Sequence, residues 1–157
     1  MPKRASDAEP PDAADLAARL LARREHSRAE LAAKLRRRGI DAGECERVLD
    51  RLEAVGALSE ARFVEQLVTS RLRQGYGPVR IRADLAARGV DPDAADAELA
   101  ADDDEWSRRA EEARQARFGN EMPDEYAERA RQARFLERRG YTAAQIARVL
   151  RGDVDDN

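Results

Sequence analysis

The sequence contains few of the residue types from which catalytic and metal sites are built. Its 157 residues include one histidine, His26, and one cysteine, Cys45. A metal site or a Cys–His catalytic pair needs several such side chains, and no serine-hydrolase motif or phosphate-binding loop motif is present. We therefore expect no catalytic residue, no metal and no cofactor, and hence no enzyme. Cys45 lies at an apolar helical position, so we expect it in the core.

Long apolar runs are also missing. No stretch approaches the roughly 18 apolar residues that a membrane-spanning helix needs, and the N-terminus lacks the apolar segment of a signal peptide. A single cysteine excludes an intramolecular disulfide and favours a reducing compartment. These absences predict a cytoplasmic protein without a membrane segment.

Aromatic residues make up only 4% of the chain, and β-branched residues are scarce. Alanine, arginine, leucine, glutamate and aspartate dominate instead, which is the composition of helices. Charged residues reach 39%, yet the net charge is only −3. The total charge therefore does not indicate a nucleic-acid-binding protein, and the predicted fold class is all-α.

Three copies of the pattern Leu-x-x-Arg-Gly-apolar divide the chain. They read LRRRGI at 35–40, LAARGV at 85–90 and LERRGY at 136–141. The glycine suits the left-handed position just past the end of a helix, and arginine suits the negative end of the helix dipole. A residue that favours the N-cap follows each copy, namely Asp41, Asp91 and Thr142. Each copy therefore predicts one helix end and the next helix start.

Further start signals predict three helices for each copy. Ser27 with Glu30 predicts a capping box, while Pro78 and Pro123 are predicted to open the equivalent helices of the second and third copies. We expect the repeats to pack as an elongated, curved array and the acidic N-terminal tail to be disordered. The predicted segments are an N-terminal tail 1–15, repeats 16–58, 59–101 and 102–152, and an acidic C-terminal tail 153–157.

The central segment LSEARFVEQLVTSRLRQGYGPVRIRADLAARGV, at 58–90, resembles the RecX family. The resemblance rests on the order of Phe63, Arg71, the Gly-Tyr-Gly-Pro run at 75–78 and Ile81-Arg82, set on three tandem three-helix repeats. It implies a regulator, mainly an inhibitor, of the RecA recombinase. Such a protein lies in the groove of the RecA filament on single-stranded DNA and suppresses its ATPase, strand exchange and coprotease activity. We expect a monomer with weak or indirect nucleic-acid contact.

Three residues of this segment, Arg71, Tyr76 and Arg82, have no equivalent in the other repeats. Arg71 projects from the apolar face of its helix, so it bonds to the following turn and exposed carbonyls or contacts a partner. Tyr76 lies between two glycines, so we expect it to be at least half exposed, as an inter-helix plug or an interface residue. Arg82 has no partner within its own helix, so its partner is a residue of another helix, RecA or a phosphate group.

The other candidates for partner binding are basic. Arg80 and Arg88 can each pair with Asp84 at a spacing of four, and Lys34 can pair with Glu30 in the same way. Arg36 and Arg37 have no such carboxylate, so they form a basic stripe that is solvated or touches phosphate. The complete set of candidate partner-binding residues is Lys34, Arg36, Arg37, Arg71, Arg73, Tyr76, Arg80, Arg82 and Arg88.

Two other functions compete with the RecA regulator. The last two helices of each repeat, joined by a glycine turn, resemble a helix-turn-helix, so a DNA-binding protein is the main alternative. Against it, the stretch DAADAELAADDD at 93–104 is acidic and would be repelled by phosphate. A general helical-repeat scaffold is the third interpretation, and it predicts no preference for RecA.

Overall fold

The computed structural model describes residues 12–154, so most of the predicted N-terminal tail and residues 155–157 lie outside the described part. Within 12–154 the chain forms nine α-helices and no strand, which confirms the all-α prediction. The helices are α1 Ala13–Arg23, α2 Arg28–Arg37, α3 Ala42–Ala54, α4 Glu60–Arg73, α5 Pro78–Ala87, α6 Pro92–Glu98, α7 Asp103–Phe118, α8 Tyr126–Arg139 and α9 Ala143–Arg151.

The repeated Leu-x-x-Arg-Gly pattern ends helices α2, α5 and α8, as predicted. Its glycines adopt positive φ angles of 86°, 73° and 93° at Gly39, Gly89 and Gly140. The side chains of Asp41, Asp91 and Thr142 then accept backbone hydrogen bonds and cap the next helices. These features depend only on neighbours in sequence, which is why the pattern predicts them.

The end of the predicted N-terminal tail and one helix start differ from the prediction. The carboxylate of Asp12 accepts the Ala14 amide at 2.9 Å, and Ala13 is fully buried, so residues 13–15 belong to α1 rather than to a disordered tail. Helix α8 begins at Tyr126 and not at Pro123. Glu125 is extended, and the loop before it is held by a buried arginine described below, so the helix cannot extend back to the proline.

The chain divides into two compact units, Met1–Phe63 and Val64–Asn157. The first unit packs α1, α2 and α3 around an apolar core in which Leu31, Leu35 and Leu49 are fully buried. Cys45 is 1% exposed and its thiol donates to the Ile40 carbonyl at 3.7 Å, which confirms its core position. Burial raises the pKa of the Cys45 thiol, so this cysteine is kept protonated.

The second unit contains most of α4 and all of α5 to α9. The second and third repeats therefore share one compact body. Helix α7 is its centre, since it packs on both α8 and α9. Fully buried side chains from three helices, Ile81, Leu85, Ala110 and Leu136, form part of its core. The elongated, curved arrangement of all three repeats stays a prediction.

Candidate functional site

The segment between α4 and α5, residues 74–77, is the glycine loop of the second unit, and it packs on the end of α8. The Gly77 amide donates to the Arg139 carbonyl at 2.7 Å, and the Val79 amide donates to the Gly140 carbonyl at 2.9 Å. Amides at a helix start and carbonyls at a helix end have no partners within their own helices. The start of α5 therefore satisfies the end of α8.

This contact brings two glycines from different repeats face to face. A Cβ atom on Gly77 would lie 2.5 Å from the Gly140 carbonyl oxygen. A Cβ atom on Gly140 would lie 2.5 Å from the Arg80 amide nitrogen and would also overlap the Arg80 Cβ atom. Both positions therefore require glycine for steric reasons, in addition to the positive φ of Gly140.

Residues of the third Leu-x-x-Arg-Gly copy hold the glycine loop in place. The Tyr141 hydroxyl lies 2.9 Å from the Gly75 carbonyl oxygen and 3.3 Å from that of Arg109, and it donates its proton to them. Arg139 donates from Nη1 to the Gln74 carbonyl at 2.7 Å. Tyr141 is 3% exposed, and this burial raises the pKa of its hydroxyl to about 12. Tyr141 thus remains a proton donor throughout the physiological range.

Tyr76 is covered by two arginines. The guanidinium carbons of Arg80 and Arg139 lie 4.6 Å and 5.0 Å from the centre of its ring. Cation–π attraction accounts for this geometry. Well under half of Tyr76 is therefore exposed, and the expectation that it would be at least half exposed is wrong, because the sequence did not show that α8 supplies Arg139 to this loop.

Arg71 is bound by an aspartate on the next helix. Its Nε donates to Asp84 Oδ2 at 2.6 Å, and both side chains are 21% exposed. Arg71 was expected to bond to the following turn or to exposed carbonyls, and that expectation is wrong, because Asp84 is its partner. Asp84 also lies 3.8 Å from Arg80 Nε, and its carbonyl accepts Arg88 Nη1 at 2.9 Å. The predicted pair at a spacing of four is confirmed for Arg80, while Arg88 bonds to the backbone of Asp84.

Arg82 finds its partner on α6, outside its own helix. Its Nε donates to Asp96 Oδ1 at 2.7 Å, and the two side chains are 46% and 59% exposed. An exposed pair of this kind contributes little to stability, about 0–1 kcal/mol. The pair neutralises the charge of Arg82 at the surface, so Arg82 is a weaker candidate for phosphate contact than its sequence suggested.

The predicted Lys34–Glu30 pair is wrong. Lys34 Nζ lies 2.8 Å from His26 Nε2, while His26 Nδ1 lies 3.0 Å from the Arg24 carbonyl. A proton on Nδ1 bonds to that carbonyl and leaves Nε2 to accept from the ammonium, so the ring is neutral. Burial lowers the pKa of His26, which agrees with this state. Glu30 binds Arg24 instead, through both carboxylate oxygens at 2.7 Å and 3.1 Å.

The remaining candidates, Arg36, Arg37 and Arg73, are exposed at the ends of α2 and α4. Within residues 12–154 no carboxylate forms an ion pair with any of the three. They are therefore the exposed members of the predicted partner-binding set that pair with no carboxylate in the described part of the chain.

Arg114 was missed by the sequence analysis. It is fully buried on α7, and its Nε and Nη2 each bind Glu111 at 2.7 Å. Its Nη1 donates to the Glu121 carbonyl at 3.1 Å and to Gln132 Oε1 at 3.3 Å. Hydrogen bonding to Glu111 raises the pKa of Arg114, which stabilises its charge inside the protein. The available signal was its position four residues after buried Ala110, on the same helix face.

Among residues 12–154, no three His, Cys, Asp or Glu side chains come together as possible metal ligands. None of the helices in that range is long and apolar enough to cross a membrane. The arrangement of arginines, aromatic rings and backbone contacts is suited to binding.

Three family models match the chain in the order of its repeats. The first three-helix domain of RecX matches residues 13–52, the second matches 59–99 and the third matches 103–150. The chain belongs to the RecX family. The resemblance inferred from the segment around the glycine loop is thereby confirmed.

Relatives and a solved structure agree with this assignment. A protein of Halorhodospira halophila named regulatory protein RecX is 48% identical over 143 residues, which cover 90% of this chain and 89% of the relative. A protein of Pseudomonas fluorescens with the same name is 45% identical over 138 residues, covering 87% and 89%. The crystal structure of RecX from Lactobacillus salivarius shares the fold, with a TM-score of 0.74 at 18% identity, and covers 89% of this chain and 93% of that one.

Proposed function

We propose that this chain regulates RecA, mainly as an inhibitor, by lying in the groove of the RecA filament on single-stranded DNA. In that position it suppresses the ATPase, strand exchange and coprotease activity of the filament. The observation that carries this proposal is membership of the RecX family along all three repeats. Relatives named regulatory protein RecX are 45–48% identical over most of the chain.

The contacts of the candidate residues support different roles for them within this proposal. Arg71 is bound by Asp84 and Arg82 by Asp96, so they support the arrangement of α4, α5 and α6. Arg36 and Arg37 on the first unit and Arg73 on the second are exposed. We assign partner contact to these three, because an exposed cation without a carboxylate loses least when a partner anion replaces water.

The helix-turn-helix alternative gains no support from the structure. Helix α6, the second helix of that motif in the second repeat, carries Asp93, Asp96 and Glu98. Such a helix would be repelled by the phosphates that line the major groove. Its basic neighbour Arg82 is already neutralised by Asp96.

The ATPase of RecA on single-stranded DNA tests the proposal. We expect substoichiometric amounts of this protein to lower the rate. The double variant Arg36→Ala/Arg37→Ala should inhibit less at an unchanged melting temperature. Arg47→Ala/Arg51→Ala on α3, which removes the same charge from exposed positions of the same unit, serves as the matched control.

Two results would contradict the proposal. One is an unchanged ATPase at any ratio of the two proteins. The other is specific binding of duplex DNA by the protein alone at moderate salt, without any effect on RecA. The second result would favour the helix-turn-helix interpretation instead.

A further inference from the structure

An open cleft of about 320 Å³ lies in the second unit, between the end of α4, the middle of α7 and the end of α8. Four arginines line it, Arg73, Arg109, Arg117 and Arg139, and its only lining carboxylate is that of Glu112. A concave site with such an excess of positive charge attracts anions.

Two of the four guanidinium groups are available to a ligand. Arg109 binds Glu105 at 2.8 Å, and Arg139 binds the Gln74 carbonyl at 2.7 Å. Arg73 and Arg117 are exposed and form no ion pair with any of residues 12–154. Arg117 stacks on the Phe118 ring, with its guanidinium carbon 5.3 Å from the ring centre, and stacking leaves the in-plane N–H groups available to an anion. Glu112 does not neutralise them, since its nearest cation is Arg108 at 3.5 Å, outside the cleft. An arginine fork of this kind binds phosphate oxygens in pairs.

The floor of the cleft is apolar and partly aromatic. Leu72, Ala113 and Ala116 leave a shallow aliphatic surface beside the half-buried ring of Phe135. Phe118 packs edge-on against Phe135, with ring centres 5.2 Å apart and planes at 87°. This contact fixes the orientation of the Phe135 ring. The guanidinium carbon of Arg139 lies 5.1 Å from the centre of the same ring, so Arg139 and Phe135 form one stacked surface. Aromatic rings held beside arginines are the usual platform on which single-stranded bases stack.

We propose that this cleft binds a nucleotide of single-stranded nucleic acid, with the phosphodiester on Arg73 and Arg117 and the base on the floor beside Phe135. The inference deepens the proposed function, because it assigns a strand contact to a protein of the RecA–DNA filament. An acidic peptide would satisfy the arginines but supplies no ring for the floor. Bases in a duplex are stacked on each other and cannot reach the floor.

The test measures binding of a fluorescein-labelled oligothymidylate by the full chain alone, using fluorescence anisotropy over a range of salt concentrations. The variant Arg73→Ala/Arg117→Ala should bind at least about tenfold more weakly, since it removes two charged hydrogen-bond donors to the phosphate. Loss of the one phosphate contact that the two arginines share should also reduce the slope of log K against log salt by about 0.7.

A matched control removes the same charge from the same unit. Arg134 and Arg138 are exposed on α8 and do not line the cleft, so Arg134→Ala/Arg138→Ala should change the affinity much less. Phe135→Leu keeps an apolar side chain but removes the ring, and it should weaken binding by about fivefold or more at an unchanged salt slope. Melting temperatures of all variants are measured alongside.

Several outcomes would overturn the inference. The wild-type chain could fail to bind the oligonucleotide, or the cleft variant could bind no more weakly than the control. A polyglutamate peptide that binds wild type more tightly than the oligonucleotide, and loses binding only in the cleft variant, would make an acidic peptide the occupant. A parallel RecA ATPase assay separates the two proposals. Inhibition of RecA without binding of the oligonucleotide would support the proposed function and contradict the cleft proposal. Binding of the oligonucleotide without inhibition would support the cleft proposal and contradict the proposed function.

Discussion

The loops that follow α2 and α8 share one motif but differ in what they contact. They read Arg38-Gly39-Ile40 and Arg139-Gly140-Tyr141. Locally they are alike, since both glycines have positive φ and the next amide donates to a leucine carbonyl of the last helical turn at 3.2 Å in each loop. A Cβ atom on Gly39 would meet nothing within 4 Å, whereas one on Gly140 would lie 2.5 Å from the Arg80 amide. The same motif thus ends a helix in one repeat and also joins two repeats in another.

The largest expected effect comes from replacing the two motif glycines in turn. Gly39→Ala should lower the free energy of unfolding by about 1 kcal/mol, because only the left-handed backbone opposes the methyl group. Gly140→Ala adds an overlap with the Arg80 backbone, so we expect a loss of about 3 kcal/mol or more. Urea denaturation followed by circular dichroism measures both. Equal losses at the two positions would show that the Gly140 contact does not form.

Gly77→Ala tests the other side of the same contact without any change in backbone strain. Gly77 has φ of −91°, which any residue adopts, so the added methyl group acts only through its overlap with the Gly140 carbonyl. We expect a loss of about 2 kcal/mol. Hydrogen exchange at the amides of residues 77 and 79 should also become faster than in wild type.

Gly43→Ala is the matched control for Gly77→Ala. Gly43 lies in the first turn of α3, where a Cβ atom would meet only the side chains of Asp41 and Arg47, at 3.1 Å and 3.4 Å. These side chains can move, and alanine favours a helix by roughly 0.5–1 kcal/mol over glycine. Gly43→Ala should therefore be neutral or stabilising. If Gly43→Ala destabilised the protein as much as Gly77→Ala, steric overlap with the Gly140 carbonyl would not explain the effect of Gly77→Ala.

The residue after the glycine provides a third, smaller contrast, which depends on pH. Tyr141→Phe should cost about 1 kcal/mol at neutral pH, since it removes the hydroxyl that donates to the Gly75 carbonyl. Burial raises the pKa of Tyr141 to about 12, against about 10 in the unfolded chain. The unfolded state therefore loses its proton first, and wild-type stability contributed by this group falls as pH rises from about 10 to about 12.

Alkaline denaturation checks this expectation. Tyr141→Phe should show a shallower loss of stability above pH 10 than wild type. The first unit offers the contrast, because Ile40 occupies the equivalent position and carries no titrating group. Identical alkaline profiles for wild type and Tyr141→Phe would mean that the hydroxyl is not buried as described.

Local features of this chain were predictable from its sequence, while contacts between helices were not. The caps Asp41, Asp91 and Thr142 act on amides a few residues away, so sequence spacing is sufficient to find them. The bond between Arg71 and Asp84 joins two helices. Its formation depends on how α4 packs against α5. A helical wheel drawn for a single helix gives no information about that packing.

The candidate site shows the same limit. Gly77 with Pro78 was recognised as a helix entry, but the further role of Gly77 depends on the approach of α8 from the third repeat. Arg114 was missed because a buried arginine interrupts the apolar pattern by which core positions are recognised. Its partners include backbone carbonyls at Asn120 and Glu121, and no side-chain pattern predicts a carbonyl acceptor.

The smallest expected difference concerns the arginine before the glycine in each loop. Arg38 is exposed and its side chain forms no ion pair within residues 12–154, so Arg38→Ala should change the free energy of unfolding by no more than about 0.5 kcal/mol. Arg139→Ala should cost about 1 kcal/mol, because it removes the bond to the Gln74 carbonyl and the contact with the Tyr76 ring. Arg139→Lys separates charge from shape. Lysine keeps the favourable charge at the end of α8 but lacks the planar fork, so it should restore less than half of the loss. Full restoration by lysine would mean that Arg139 acts on the helix dipole alone, as Arg38 does.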